Sequence, residues 1–241
     1  MPRIVGTDLS HWNNKVNYDA MVDWGIRFGC LKLGQGLLPK DVMFDTHRSN
    51  FNRLNVPWDF YWFSDYRKSG AANVKNLIAK AAGDYGHNHP VCDLEFFDPW
   101  GRPPGYKMRR FALDFFGELE AQTSLLCMFY SNRDMINQIM AGISPADKAE
   151  FLCHDLWLAT HAAYGNPSPW PKYRLNQYDL DMIVPWAKGT VDLNDFNGTE
   201  AEYTVFYGEQ IMPPEPTHDE KVTILWREAE EHPPIGWNLN P

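Results

Sequence analysis

The sharpest chemical feature of the sequence is Asp93-Leu94-Glu95, which ends a short apolar run. On a strand, residues two apart point to the same face, about 6.6 Å apart along the backbone. Two neighbouring carboxyl groups on an inward face should have separated pKa values, so that one stays protonated while the other is ionised. Glycosidic cleavage needs that division of labour. A solvent-facing or salt-bridged pair is the plainer alternative.

Two more carboxylates stand at the ends of predicted strands. Asp8 ends the first predicted strand and Asp192 the eighth, and each has an alternative reading as a turn residue. In a closed barrel the first and eighth strands are neighbours, so both side chains would reach the mouth that holds Asp93 and Glu95. The sequence therefore predicts four carboxylates around one site, all of them candidate catalytic groups.

The elements that must position these groups alternate along the chain. Five strand-like runs are each followed by helical patterns, and three further strands are joined by connections rich in Gly, Pro and Asn. This order predicts an α/β fold, a (βα)5β3 TIM-like barrel with working residues at the C-terminal ends of strands. The predicted strands are 3–8, 28–33, 58–63, 90–95, 125–130, 156–159, 173–178 and 190–193. The predicted helices are 17–24, 45–54, 70–82, 107–121, 132–140 and one after Ser144-Pro145.

A Pro-rich segment, residues 212–216, predicts a stiff linker after the barrel. We therefore expect a catalytic barrel over residues 1–208, and a Pro-rich linker with an acidic tail helix over residues 209–241. Apolar side chains at helical spacing in residues 219–231 predict that this helix packs on the barrel or self-associates.

Composition excludes several classes of function. The chain has 241 residues and a formal net charge of −9, which argues against a nucleic-acid partner because phosphate binding relies on Lys and Arg. No apolar stretch approaches the ~20 residues of a membrane span. Aromatic residues make up 15% of the chain, which suits either an aromatic core or a carbohydrate cleft.

The sequence predicts neither a cofactor nor a metal centre. His87-Asn88-His89 precedes the Asp93 strand, so these imidazoles should lie at its opposite end, roughly 10 Å or more from the carboxylates. The four cysteines lack CxxC spacing and are expected to be buried, reduced thiols.

The strand-end motifs, taken in order, resemble those of the glycoside hydrolase family 25 muramidases. The likeness covers roughly residues 4–198, and the family's (βα)5β3 barrel agrees with the element count. The motifs are Gly6-Thr7-Asp8-Leu9-Ser10, Leu31-Lys32-Leu33-Gly34-Gln35-Gly36, Tyr61-Trp62-Phe63, Asp93-Leu94-Glu95, Tyr130-Ser131-Asn132, Leu156-Trp157-Leu158-Ala159, Asn176-Gln177-Tyr178 and Val191-Asp192-Leu193-Asn194.

The resemblance implies hydrolysis of the β-1,4 bond between N-acetylmuramic acid and N-acetylglucosamine in bacterial peptidoglycan. By motif position, Glu95 would be the general acid and Asp93 would assist the 2-acetamido group of the sugar. Asp8 and Asp192 would tune Glu95 and hold sugar or water. The positions that match substrate contacts are Lys32, Tyr61, Tyr130, Trp157 and Gln177. Lys32 is equally well explained as a counter-ion to the acidic cluster.

Two departures from the family pattern concern the cleft. Trp62 stands where many members carry His, so we expect altered sugar contacts at that subsite. The aromatic, Pro-rich loop 96–104 is expected to form a wall of the cleft, with a packed surface loop as the alternative.

The sequence also leaves alternative functions open and predicts where the protein is located. The chain could instead be a non-catalytic wall-binding or phage structural protein on the same barrel, or a glycosidase of another GlcNAc polymer such as chitin. No signal-peptide pattern opens the sequence. Together with reduced cysteines, this favours a phage endolysin held in the host cytoplasm until its release to the wall, with a virion-associated lysin as the alternative.

Overall fold

The predicted barrel is present in the computed structural model, which describes residues 3–87, 90–160 and 167–208. Eight strands close into a ring in chain order, and neighbours are parallel except at the eighth, which is antiparallel to both of its neighbours. The strands are β1 (Ile4–Leu9), β2 (Ile26–Gln35), β3 (Trp58–Phe63), β4 (Val91–Asp93), β5 (Met128–Asn132), β6 (Leu156–Ala159), β7 (Leu175–Ile183) and β8 (Thr190–Phe196). The helices are α1 (Tyr18–Trp24), α2 (Phe44–Arg53), α3 (Gly70–Ala81), α4 (Gly105–Thr123), α5 (Arg133–Met140), α6 (Pro145–Leu152) and α7 (Glu200–Tyr207).

The order of the elements confirms the (βα)5β3 prediction. One helix follows each of the first four strands, and both α5 and α6 follow β5. Among the described residues, no helix lies between β6 and β8. Parallel neighbours need crossover connections, whereas the antiparallel β7 and β8 are joined directly as a hairpin.

Side-chain caps explain where four of the helices begin. Asn17, Ser69, Asn132 and Ser144 each accept a hydrogen bond from the backbone N–H three residues further on. Such caps satisfy N–H groups that have no partner within the helix. Gly25 ends α1 with a φ of 114°, a backbone conformation that favours glycine. These residues fix the junctions between the helices and the strands that carry the site.

Helix α7 is absent from the sequence predictions and closes the end of the barrel at which β1 begins. The ring centroid of Tyr203 lies 5.4 Å from that of Phe196, and the ring of Tyr207 stacks on Phe28 at 5.5 Å. All four rings are buried. This aromatic floor leaves the opposite end of the barrel as the open one.

Trp62 is wholly buried on the outer side of the barrel wall. Its Nε1 donates to Oδ1 of Asn73 on α3 at 3.3 Å. Gly34 leaves room for the indole, since a Cβ there would lie 2.7 Å from the ring. Because successive strand residues point to opposite faces, Tyr61 and Phe63 face the barrel mouth instead. The expectation that Trp62 alters sugar contacts is therefore wrong, and its role is packing.

The fourth strand is shorter than predicted, which changes the setting of Glu95. β4 ends at Asp93, so Glu95 lies two residues beyond the strand. The backbone N–H of Leu94 still donates to the Tyr130 carbonyl at 3.0 Å, and Ser131 Oγ donates to the Leu94 carbonyl at 2.6 Å. The chain thus continues alongside β5, and Glu95 stays at the open end of the barrel.

The cysteine prediction is only partly right. Cys30, Cys92 and Cys127 are buried free thiols, whereas Cys153 is exposed. Cys153 is the C-cap of α6, one residue past the end of the helix.

Two other predictions concern membranes and the tail. No helix in the described ranges is long and apolar enough to cross a membrane. The predicted tail, residues 209–241, lies outside the described residues.

Candidate active site

A cleft at the open end of the barrel brings together all nine site residues predicted from the sequence. It has a volume of about 290 Å³. The predicted residues that line it are Asp8, Lys32, Tyr61, Asp93, Glu95, Tyr130, Trp157, Gln177 and Asp192. Ser10, Trp12, Asn13, Phe63 and Thr190 complete the lining.

Asp192 reaches the cleft for a different reason from the one predicted. The sequence argument places it at the end of a strand, but it is the third residue of β8. Because β8 is antiparallel to β1, its beginning lies beside the end of β1, and Asp192 stands directly opposite Asp8. Strand direction, rather than strand end, therefore completes the acidic cluster.

Asp8 is held by two side-chain amides. Its Oδ2 accepts from Asn194 Nδ2 at 2.8 Å and from Gln177 Nε2 at 2.9 Å. The same Gln177 nitrogen lies 3.3 Å from Asp192 Oδ2 and bridges the two carboxyl groups. Burial raises the pKa of Asp8, and the hydrogen bonds from Asn194 and Gln177 oppose that rise. Burial, and then the charge of Asp8, raises the pKa of Asp192 to about 9.

A second layer of hydrogen bonds fixes these amides. Tyr130 OH donates to Gln177 Oε1 at 2.7 Å, and Trp157 Nε1 donates to Asn194 Oδ1 at 2.8 Å. Each amide therefore accepts a hydrogen bond at its oxygen and donates one from its nitrogen, and this pattern determines its orientation. Three predicted substrate contacts, Tyr130, Trp157 and Gln177, therefore form hydrogen bonds within the site. These bonds support the carboxyl groups.

Asn194 is a buried supporting residue of the site that the sequence analysis missed. It is fully buried and joins Trp157 to Asp8. It is the last residue of the motif Val191-Asp192-Leu193-Asn194, and it lies two residues after Asp192, on the same face of β8. That period-two spacing is the signal that could have found it.

Asp93 and Glu95 form the second carboxyl pair. Burial, and then the charge of Glu95, raises the pKa of Asp93 well above its usual value. Burial also raises the pKa of Glu95 to about 7, although the Lys32 charge lowers it. Asp93 Oδ1 is buried and has no hydrogen-bond partner among the described residues. The pair thus holds a proton near neutral pH, and both residues line the cleft.

Lys32 lies near the Asp93–Glu95 pair, and Tyr61 lies near both carboxyl pairs. Lys32 Nζ lies 3.5 Å from Gln35 Oε1 and 5.0 Å from the centroid of the Phe63 ring. Its charge lowers the pKa of Asp93 and Glu95, which agrees with the counter-ion alternative. Burial, and then Asp8 and Asp93, raises the pKa of Tyr61 well above its usual value, so the phenol stays protonated.

The loop 96–104 packs against the cleft wall. Trp100 lies 5.8 Å from Phe63 and 4.9 Å from Phe97 between ring centroids. Tyr66 OH donates to the Gly101 carbonyl at 2.6 Å and fixes the turn. The loop therefore supports Phe63, a lining residue, from behind.

Among the described residues, no group of three or more His, Cys, Asp or Glu side chains could hold a metal ion. His87 Nδ1 lies 3.3 Å from the Trp58 carbonyl, in the segment before β4. His89 lies outside the described residues.

The (βα)5β3 barrel, its four carboxyl groups and its aromatic walls together define a glycoside hydrolase. The model of Glycosyl hydrolases family 25 matches residues 7–185, and the chain belongs to this family. The resemblance seen in the sequence motifs is confirmed.

Individual relatives are similar to this chain at low sequence identity. Lysozyme M1 of Streptomyces globisporus is 24% identical over 208 residues, covering 82% of this chain and 69% of that protein. The solved bacterial lysozyme of Streptomyces coelicolor has a TM-score of 0.74 at 22% identity, covering 86% of this chain and 98% of the other. The autolysin LytC of Streptococcus pneumoniae, solved with a synthetic peptidoglycan ligand, has a TM-score of 0.67 at 15% identity. The match covers 80% of this chain and 46% of the autolysin. These structural likenesses show the shared fold.

Proposed function

We propose that the protein is a muramidase that hydrolyses the β-1,4 bond between N-acetylmuramic acid and N-acetylglucosamine in bacterial peptidoglycan. The observation that carries the proposal is the Asp93–Glu95 pair, two carboxyl groups with raised pKa in the cleft of a family 25 barrel. Two relatives support the substrate, one a lysozyme and the other an autolysin solved with a peptidoglycan ligand.

Glu95 is proposed as the general acid. A pKa of about 7 keeps a substantial fraction of the carboxyl group protonated at neutral pH, where an ordinary Glu would be ionised. Glu95 protonates the glycosidic oxygen as the bond from this oxygen to C1 breaks. In the second step water attacks C1 and displaces the acetamido oxygen bonded there, while the Glu95 carboxylate takes a proton from that water, which restores the acid.

Asp93 is proposed to position the 2-acetamido group of the reacting sugar. In this substrate-assisted route, the acetamido carbonyl oxygen attacks C1 while the acetamido N–H donates to the carboxyl group of Asp93, which lines the cleft. That hydrogen bond stabilises the ionised form of Asp93. The proton held by the pair is then left on Glu95, where the leaving group needs it.

The remaining polar groups set the electrostatics around this pair. Asp8 raises the pKa of Glu95, and Lys32 lowers it. The pKa of Glu95 near 7 is therefore a balance between burial and charges of both signs. Tyr61 stays neutral and can donate its hydroxyl to a sugar oxygen. Asp192, which shares Gln177 with Asp8, holds sugar or water at the mouth.

The substrate assignment is tested on two polymers. We expect purified peptidoglycan to release reducing ends and colloidal chitin to release none. Mass spectrometry should show N-acetylmuramic acid at the reducing end of each fragment. Reducing N-acetylglucosamine, or faster cleavage of chitin, would favour the alternative glycosidase, and binding without any cleavage would favour a non-catalytic wall-binding protein.

A further inference from the structure

Trp12 is the most exposed tryptophan among the described residues, with 79% of its surface accessible. It also lines the cleft that contains the four carboxyl groups. Most of the other described tryptophans are buried in the core, where an indole gains most from packing. An indole left in solvent beside an active site presents a flat apolar face to whatever enters the cleft.

The turn that carries Trp12 is tied down on both sides. Ser10 Oγ accepts from the Trp12 backbone N–H at 3.3 Å, and Asn13 Oδ1 accepts from the Ser10 N–H at 3.0 Å. Asn13 Nδ2 donates to the Thr190 carbonyl at 3.3 Å and joins the turn to β8. The indole is thus exposed on a backbone that is held in place.

The neighbouring imidazole adds a second support. His11 Nδ1 lies 2.7 Å from Asp41 Oδ2, on the connection after β2, and its backbone N–H donates to the same oxygen at 3.2 Å. The His11 ring lies against the indole at 4.6 Å between centroids. The His11 ring therefore contacts the indole, and most of the indole surface stays open to solvent.

Trp12 stands apart from the reacting groups. It follows β1, whereas Asp93 ends β4, three strands further around the barrel, with Glu95 just beyond. Trp12 and Asp93 therefore lie at different positions around the mouth of the same cleft. The lining of this cleft includes Lys32 and Tyr61, two of the predicted substrate contacts.

We propose that Trp12 forms a separate glycan subsite, in which its indole stacks on the C–H face of a pyranose ring further along the same strand. The inference rests on the proposed function, because it takes the polymer to be a GlcNAc-containing glycan. The chemistry is general: the apolar face of a sugar ring is covered by a large aromatic surface while its hydroxyl groups stay in water. The subsite binds polymer without contributing to bond cleavage.

Kinetics on two substrate lengths test the subsite. With long peptidoglycan glycan strands, Trp12→Ala should raise KM roughly 10-fold and leave kcat within about twofold, and Trp12→Phe should recover most of the loss. With a tetrasaccharide of two disaccharide repeats, the effect on KM should be smaller. Val205→Ala is the matched control, since Val205 is exposed on α7 at the closed end of the barrel.

Binding without turnover gives the second readout. In a Glu95→Gln background, N-acetylglucosamine tetrasaccharide should shift tryptophan emission, and the added Trp12→Phe change should abolish most of that shift. Equal KM values for wild type and Trp12→Ala on long strands, or a loss confined to kcat, would overturn the subsite while leaving the muramidase proposal intact. If the wild type cleaves neither the long strands nor the tetrasaccharide, the proposed function fails. In that case, an emission shift that is the same with and without the Trp12→Phe change also rejects the subsite.

Discussion

Asp8 and Asp192 lie directly opposite each other on the antiparallel strands β1 and β8, and one Gln177 nitrogen bridges them. Asp8 also accepts from Asn194, while the pKa of Asp192 is raised to about 9. The donors therefore favour the charge on Asp8, and the proton stays on Asp192 at neutral pH. When Asp8 is ionised, its negative charge helps to hold the pKa of Glu95 high.

Replacing Asn194 tests this arrangement. Asn194→Ala removes one donor to Asp8 and leaves the Trp157 N–H without its acceptor. We expect kcat to fall roughly 10- to 100-fold, as for other supporting residues, with an altered pH profile. Asn176→Ala is the control, because this buried amide bonds to Thr160 outside the cleft lining. Equal loss of stability but unchanged kcat in both variants would show that Asn194 is merely structural.

Lys32 provides a test of the pH dependence. The acid must be protonated, so kcat/KM should fall as pH rises through about 7, the pKa of Glu95. The Lys32 charge lowers that pKa, so Lys32→Met should move the alkaline limb to higher pH, whereas Lys32→Arg should leave it near its original place. A limb that moves to lower pH in Lys32→Met contradicts the assignment of Glu95 as the titrating acid.

Asp192 should lower stability at neutral and alkaline pH. Its folded-state pKa, about 9, lies above the unfolded value, so the folded protein binds the proton more tightly than the unfolded chain does. The contribution of Asp192 to the free energy of unfolding is therefore most favourable at acid pH and is lost as pH rises toward 9. Asp192→Asn should therefore raise Tm at pH 8 by a few degrees, since 1 kcal/mol corresponds to about 2–4 °C at this size. The Tm difference between the variant and the wild type should be smaller at pH 4 than at pH 8. Thermal unfolding at the two pH values measures both differences. A larger advantage at pH 4 would reverse the expected sign.

Trp62→His restores the residue common in the family and separates packing from sugar contact. Because the indole is fully buried against Asn73 and Gly34, the smaller ring should leave a cavity and lower the free energy of unfolding by roughly 2–4 kcal/mol. At a temperature where the variant stays folded, KM for peptidoglycan should match the wild type. Chemical denaturation and initial rates measure the two effects, and a changed KM with unchanged stability would place Trp62 at the substrate.

Much of the fold could be read from the sequence because each βα unit carries its own period and capping signals. β3 and β6 match their predicted bounds. Helix α7 was missed although Thr199 and Glu202 form a capping box, a signal visible in the sequence.

The direction of β8 was beyond the sequence argument, because an alternating pattern is the same in either direction. The site could be listed almost completely, since strand ends converge in any closed barrel. What required the structure was how the groups are connected: Asn194 between Trp157 and Asp8, and Trp62 on the outer face of the wall. Assignment to a phage lysin stays a prediction.

The most direct test of the account is turnover of purified peptidoglycan by wild type and Glu95→Gln. The amide keeps the shape of the side chain but can neither give nor regain a carboxyl proton. We expect the rate of reducing-end release to fall at least about 100-fold, with binding to the walls and Tm essentially preserved. Equal rates for the two proteins, with the variant properly folded, would contradict Glu95 as the general acid and with it the proposed mechanism.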